Sequence, residues 1–424
     1  MRGGDVLDNL QGLIGVAAIL LIALALGEAR RESLSKAGVR LVVVGLSLQV
    51  GLGLVLLHAP LVKDGLAALN SVVIALQKAT TVGTSFVFGY LGGGKLPFAE
   101  SFPGSSFVLA FQALPLILVL SALSAVLFHW GVLQFVVRGF SWALERTLRI
   151  GGALGVGAAV NVFVGMVESP ILVRPYVRIM SRGELFALMT AGMATIAGTV
   201  MILYASFLAP VMPGALGHIL SASIMNVPGA LVIAALMVPL AGQATGGGFD
   251  PERRTKSTMD AVASGTADGV QLLINVIAML VVLVALVALI NLGLGLLPDV
   301  GGNPLSLQRM FGWLLSPLAW SLGIPWEEAK TGGALLGTKV VLNELIAYLE
   351  LAKLPADALS EKSRLILVYA VCGFANLGSL GIMIGGLAAL VPERRDDIVN
   401  LGFRSVISGL LATCLSGAIV GLIM

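Results

Sequence analysis

Asn161-Val-Phe-Val-Gly165-Met-Val-Glu168-Ser-Pro170 sets a carboxylate midway through an apolar stretch, and Gly337-Thr-Lys339-Val-Val-Leu-Asn343-Glu344-Leu-Ile-Ala347 does so again far down the chain. A carboxylate in lipid is costly and marks a functional site by default. Each is followed, 24 and 29 residues later, by a glycine-rich element. The first is Gly192-Met-Ala-Thr195-Ile-Ala-Gly198-Thr199, the second Gly373-Phe374-Ala-Asn376-Leu-Gly378-Ser379-Leu380. Repeated pairs of this kind point to a transporter whose solute and ion sites lie near the bilayer midplane, between structural repeats.

The composition sets the same frame. The chain is 57% hydrophobic and 12% charged, with mean hydropathy +0.98. Soluble domains carry about 25% charged residues. This is therefore a polytopic, all-α integral membrane protein. A dispersed net charge of +3 gives nucleic-acid binding no support. Cys372 and Cys414 lie in apolar segments, so no disulfide is expected, and no ligand set for zinc, haem or an iron–sulfur cluster is present. With no His-Glu-x-x-His motif and no nucleophile–base pair, an enzyme is not expected, and no cofactor is called for.

Eight segments are long and apolar enough to span: 11–27, 39–58, 107–128, 185–208, 217–240, 269–297, 365–389 and 404–424. The first could serve as a signal-peptide core, but Asp5 and Asp8 precede it and Arg30 and Arg31 follow it, which favours a true span. Segments 155–180 and 331–352, which hold Glu168 and Glu344, are interrupted at their centres by Gly, Pro or charge. They read as re-entrant hairpins, since non-helical backbone at membrane depth needs cover from protein or a water-filled cavity. The loops 28–40, 129–150, 174–184, 241–268 and 390–404 hold 16 of the 26 Lys and Arg residues. The positive-inside rule then puts both termini outside, provided that each hairpin returns to the side it entered. Segments 62–82 and 129–148 are apolar with spaced charges and suit helices lying along the interface.

The hydrophilic linker 241–260 divides two halves, each of which runs hairpin, glycine-rich helix, helix. An odd number of spans between them makes the repeat inverted. The expected organisation is 1–150 scaffold and interfacial helices, 151–240 first transport repeat, 241–300 linker and scaffold helix, and 301–424 second transport repeat.

Several residues have two readings. Glu168 either binds solute or pairs with Arg174 to fix the hairpin. Lys339 and Asn343 are one helical turn apart and can share a face, with Lys339 structural and neutralising a buried acid. Two carboxylates in one low-dielectric site need sodium, a proton or ligand hydroxyls to relieve their repulsion. The glycine-rich elements either pack helices closely or unwind and offer carbonyls to a cation, and their repetition favours the second. Packing is the expected role of Gly83-Thr-Ser-Phe86-Val-Phe88-Gly89-Tyr90, and an interfacial position that of His58, His129 and His218.

Taken in order, Gly165-x-x-Glu168-x-Pro170, Arg174-Pro175, Gly337-x-Lys339, Asn343-Glu344 and Cys372-Gly-Phe374-Ala-Asn376-x-x-Ser379 with Gly381 resemble the concentrative nucleoside transporters. Phe86-x-Phe88-Gly89 fits too, and the resemblance runs from about residue 40 to the C-terminus. It implies eight transmembrane helices plus two re-entrant helical hairpins, a homotrimer in the bacterial inner membrane, and a transport domain that moves against a scaffold. It further implies uptake of a nucleoside with sodium as coupling ion; proton-coupled symport of nucleosides or another ribose-bearing solute is the alternative. By position, Glu168, Glu344, Asn376 and Ser379 would hold the ribose and Phe374 and Val200 would flank the base. Asn161, Thr195 and the carbonyls of Val164 and Ile196 would hold sodium. One departure stands out: many members carry Gln-Thr where this chain has Met166-Val167, so side-chain hydrogen bonds to the base are lost there.

Overall fold

The computed structural model describes residues 3–100, 106–163, 165–166, 169–170, 173–240, 244–246 and 255–424. Among these the only bridge between extended segments is Val300 with Asn303, and the architecture is helical. Helices α1 (Gly3–Ala25), α2 (Lys36–His58), α3 (Pro60–Phe88) and α4 (Leu116–His129) precede an amphipathic helix, α5 (Val132–Leu148). Helix α6 (Gly152–Asn161) enters the first hairpin region. A broken helix follows, as α7 (Arg182–Ala194) and α8 (Gly198–Leu208), then α9 (Ala215–Met237). The long α10 (Thr258–Leu294) leads to a second set: α11 (Leu307–Ser321), α12 (Trp326–Val341), α13 (Glu344–Lys353), a second broken helix α14 (Glu361–Val371) and α15 (Leu377–Leu390), and α16 (Arg395–Ile423).

Among the described residues, six runs are long and apolar enough to cross a membrane: Lys36–His58, Leu109–His129, Arg182–Leu208, Ala215–Met237, Thr258–Leu294 and Pro392–Ile423. The expected spans 11–27 and 365–389 correspond to the shorter apolar helices Gln11–Ala25 and Leu377–Leu390. The second falls short because the segment is not one helix: the chain leaves helical geometry between Val371 and Leu377.

Helices α9 and α16 form the buried centre, with α7 and α14 packed on them. Helix α10 is the opposite case. It packs mainly on α4 and exposes Val281, Leu286, Leu289 and Leu292, an apolar face that suits lipid or another subunit.

Three of the loops read as basic, 28–40, 174–184 and 390–404, meet at one end. Glu28 accepts from Arg182 at 3.0 Å, Arg182 reaches Asp397 at 3.2 Å, and Arg394 pairs with Asp397 at 2.8 Å. This cluster joins the end of α1 to the starts of α7 and α16. At the other end, His58, Gly214, His218, Glu361 and Met424 line one cavity of about 600 Å³. The broken helices α7–α8 and α14–α15 therefore run in opposite directions, as an inverted repeat requires.

Helices α5 and α11 each pack on the helix that follows them. Helix α5 buries Val137, Ser141, Leu144 and Leu148 against α6 and leaves Phe135 and Trp142 exposed. Helix α11 packs on α12 through Gly312, Ser316 and Ala319. A Cβ at Gly333 of α12 would stand 2.8 Å from the Gly312 carbonyl oxygen, so glycine permits this close approach. Helix α11 had no counterpart in the sequence reading. Its buried stripe is made of small residues, and hydrophobic periodicity does not register those.

Candidate functional site

Each broken helix opens at its glycine-rich element. Thr195 turns to extended backbone, while its Oγ1 and N–H both donate to the Ala191 carbonyl, at 2.8 and 3.1 Å. The second break spans Cys372–Asn376. The two breaks press together: a Cβ on Gly373 would stand 2.7 Å from the Ala194 oxygen, and Phe374 N–H donates to the Thr195 carbonyl at 3.3 Å. Helix ends leave carbonyls without intrahelical partners. Asn226 of α9 supplies two of them, donating through Nδ2 to Ala194 O at 2.8 Å and Cys372 O at 2.7 Å. One buried amide thus ties both breaks together.

Glu344 sits against this junction and is buried. Helix α12 ends at Val341, and Asn343 caps the next helix, its Oδ1 accepting from Ile346 N–H at 2.9 Å. Lys339 and Asn343 are therefore not on one continuous helix. The interruption places Glu344 in the first turn of α13, where a carboxylate is favoured by the helix dipole. Both its oxygens are held. Tyr204 Oη donates to Oε1 at 2.6 Å, and Asn376 Nδ2 donates to Oε2 at 3.0 Å. Asn376 Oδ1 accepts from Ser379 N–H at 2.7 Å and so caps α15. Val200, one turn before Tyr204 on α8, is buried, and Phe374 is partly exposed beside the second break.

In the first half, Asn161 is buried and donates to the Gly157 carbonyl at 3.1 Å, but its Oδ1 has no hydrogen-bond partner among the described residues. A Cβ on Gly192 would lie 3.7 Å from that oxygen. Ile196 N–H points to Ser223 Oγ at 3.5 Å. Amide, hydroxyl and carbonyl oxygens are the donors hard cations take. Met166 lies against Gly192, which Met383 also approaches, and Gly165 before it adopts φ 124°, a conformation suited to glycine. Glu168, Val164 and Val167 lie outside the described residues.

Among the described residues, the Lys339 ammonium donates to Ala370 O at 2.9 Å and Thr413 Oγ1 at 2.6 Å. In the segment around Gly89, Phe88 packs on Phe111 with ring centroids 5.1 Å apart, whereas Phe86 is exposed. Sequence reasoning missed Tyr204 and Asn226. Both sit in mostly apolar helices, α9 also burying Ser221 and Ser223, and only the fold brings each to its partners.

Three family models cover the chain. They are the Na+ dependent nucleoside transporter N-terminus over residues 14–91, a nucleoside recognition (gate) model over 110–211, and the Na+ dependent nucleoside transporter C-terminus over 218–421. Nucleoside permease NupC of Helicobacter pylori is 34% identical over 98% of both chains. The chain belongs to the concentrative nucleoside transporter family. An uncharacterized transporter of Haemophilus influenzae is 38% identical over 97% of both chains. The structure of CNTnw in an inward-facing substrate-bound state matches with TM-score 0.88 and 38% identity over 98% of both chains. Members of this family are transporters, not enzymes.

Proposed function

We propose that this protein takes up nucleosides across the bacterial inner membrane by sodium-coupled alternating access. The observation that carries the reading is Glu344, buried where both helix breaks and the Asn343 cap converge, with Tyr204 and Asn376 fixing its two oxygens. A carboxylate so oriented keeps lone pairs for vicinal ribose hydroxyls. Glu344, Asn376, Ser379 and Glu168 form the ribose site in this reading. Phe374 and Val200 flank the base, with Met166 and Val167 beside it.

Sodium is assigned to Asn161, Thr195 and the Val164 and Ile196 carbonyls. Asn161 Oδ1, beside the first break, has no hydrogen-bond partner among the described residues, which supports this, because a buried amide oxygen without a donor is costly. Bound there, sodium would neutralise part of the carboxylate charge and fix the first hairpin against α7. Similarity to CNTnw, solved in inward-facing, intermediate and outward-facing states, supports alternating access.

The organisation we assign is eight spans and two re-entrant hairpins, with both termini outside. Residues 1–150 supply the scaffold, 151–240 and 301–424 the transport repeats, and 241–300 the linker and a scaffold helix. The exposed apolar face of α10 supports assembly into a trimer.

The test is uptake of labelled nucleoside into proteoliposomes under an imposed sodium gradient, and separately under a proton gradient. Uptake should follow sodium. Uptake driven only by the proton gradient would replace sodium by a proton carried on Glu344 or Glu168.

A further inference from the structure

Lys339 is fully buried, and its ammonium is held by two neutral oxygens, the carbonyl of Ala370 and the hydroxyl of Thr413. The inverted repeat explains the position. Ser416 donates to Asn226 Oδ1, so α9 and α16 meet through this pair where the two halves join. Three residues before each stand Ser223 and Thr413. Asn226 also pairs the carbonyls of Ala194 and Cys372, and two residues before each of these stand Gly192 and Ala370. In the first half, Gly192 lies beside Asn161 Oδ1, and Ser223 Oγ accepts from Ile196 N–H. In the second half, Ala370 and Thr413 hold the Lys339 ammonium.

We propose that Lys339 is a tethered cation at the symmetry-related counterpart of the sodium site, so that the chain couples to one mobile cation. This rests on the sodium assignment made above. The physical basis is shared by both halves. A broken helix leaves carbonyls at its first segment's C-terminal end, where the backbone carries partial negative charge and favours a cation. The first half meets that need with an ion drawn from solution, which can be counted in coupling. The second meets it with a side chain, which cannot leave. Lys339 is thus a positioning residue that holds the Glu344 hairpin against the second break. Shortening it to an oxygen-bearing side chain leaves a carbonyl, a hydroxyl and a new amide oxygen around the space of the ammonium, and that set takes sodium.

The test is calorimetric titration of the full-length protein with uridine over a series of sodium concentrations, with choline holding ionic strength constant. It compares wild type, Lys339→Asn and Lys339→Met, and adds melting curves without nucleoside. On a logarithmic plot of affinity against sodium, the wild-type slope should be about one and that of Lys339→Asn about two, by ion linkage. Lys339→Met has no oxygen to offer and should bind uridine at least about tenfold more weakly, with no rescue by sodium. If Lys339→Asn melts early, sodium but not choline should raise its Tm more steeply than that of wild type. A slope of one together with a wild-type sodium response of Tm would overturn the proposal. So would wild-type uridine affinity in Lys339→Met. A wild type whose affinity ignores sodium would instead overturn the coupling reading itself.

Discussion

Tyr204 donates a 2.6 Å hydrogen bond to Glu344, joining the half-helix after the first break to the residue that opens α13. The bond crosses between the two repeats. The tyrosine ring is independently supported by Tyr348, at 5.3 Å between centroids. Tyr204→Phe keeps that packing and deletes only the donor. A hydrogen bond to a charged group contributes about 1.5–3 kcal/mol, so Tm should fall, and nucleoside affinity should fall with it as Glu344 loses its fixed orientation. Calorimetry on the variant checks this, and unchanged affinity would show that Glu344 needs no second anchor.

The position of the breaks was legible in the sequence because glycine and a polar residue recur at the same spacing. Asn376 and Asn343 both cap helices there. Tyr204 was not legible: a tyrosine in an apolar helix scores as hydrophobic, and only the fold brings it to a carboxylate 140 residues away. Likewise α11 was missed because its buried face is Gly312, Ser316 and Ala319, whose packing depends on α12 being there. The hairpin carboxylate Glu344 was legible from the cost of burying charge alone.

Asn226 satisfies the carbonyls of Ala194 and Cys372 at once. Asn226→Ala should leave both without a donor, at about 1–3 kcal/mol each. The expected result is a clear drop in Tm together with weaker nucleoside binding, since both breaks lose their tie. A variant with wild-type Tm and affinity would mean that the breaks are held by backbone packing alone.

Asn161→Ala and Thr195→Val remove oxygens from the assigned sodium site but leave Glu344 and its partners in place. Half-maximal uptake should require several-fold more sodium, with nucleoside affinity at saturating sodium changed less, as expected of two sites with finite coupling. Equal loss at all sodium concentrations would count against a cation there.

Met166 and Val167 offer the base no strong hydrogen-bond partners, and apolar contacts discriminate weakly. The double change Met166→Gln with Val167→Thr should sharpen the preference among nucleosides and leave dependence on ribose hydroxyls as it is. A competition panel of nucleosides and their deoxy analogues reads this directly. An unmoved base preference would place these residues away from the base.

Glu28 lies outside the spans, and the hydrogen bond from Arg182 holds its carboxyl below the ordinary 4.5, against the opposing effect of partial burial. A depressed carboxylate contributes stability that is present above its unfolded pKa and lost as pH falls through the folded value. Glu28→Gln should therefore flatten the decline of Tm on acidification below 4.5. The effect should be small, because exposed ion pairs are screened. An identical acid profile in both proteins would show that the cluster does not stabilise the packed ends of α1, α7 and α16.

The central claim is that Glu344 anchors a ribose in a site completed by sodium. Its most direct measurement is calorimetric titration of wild type and Glu344→Gln with uridine and with uracil, each in sodium and in choline. Wild type should bind uridine in sodium, at least about tenfold more weakly in choline, and uracil far more weakly in either; Glu344→Gln should lose roughly 10–150-fold of its uridine affinity. Uracil binding as tightly as uridine, or Glu344→Gln binding uridine like wild type, would contradict the account.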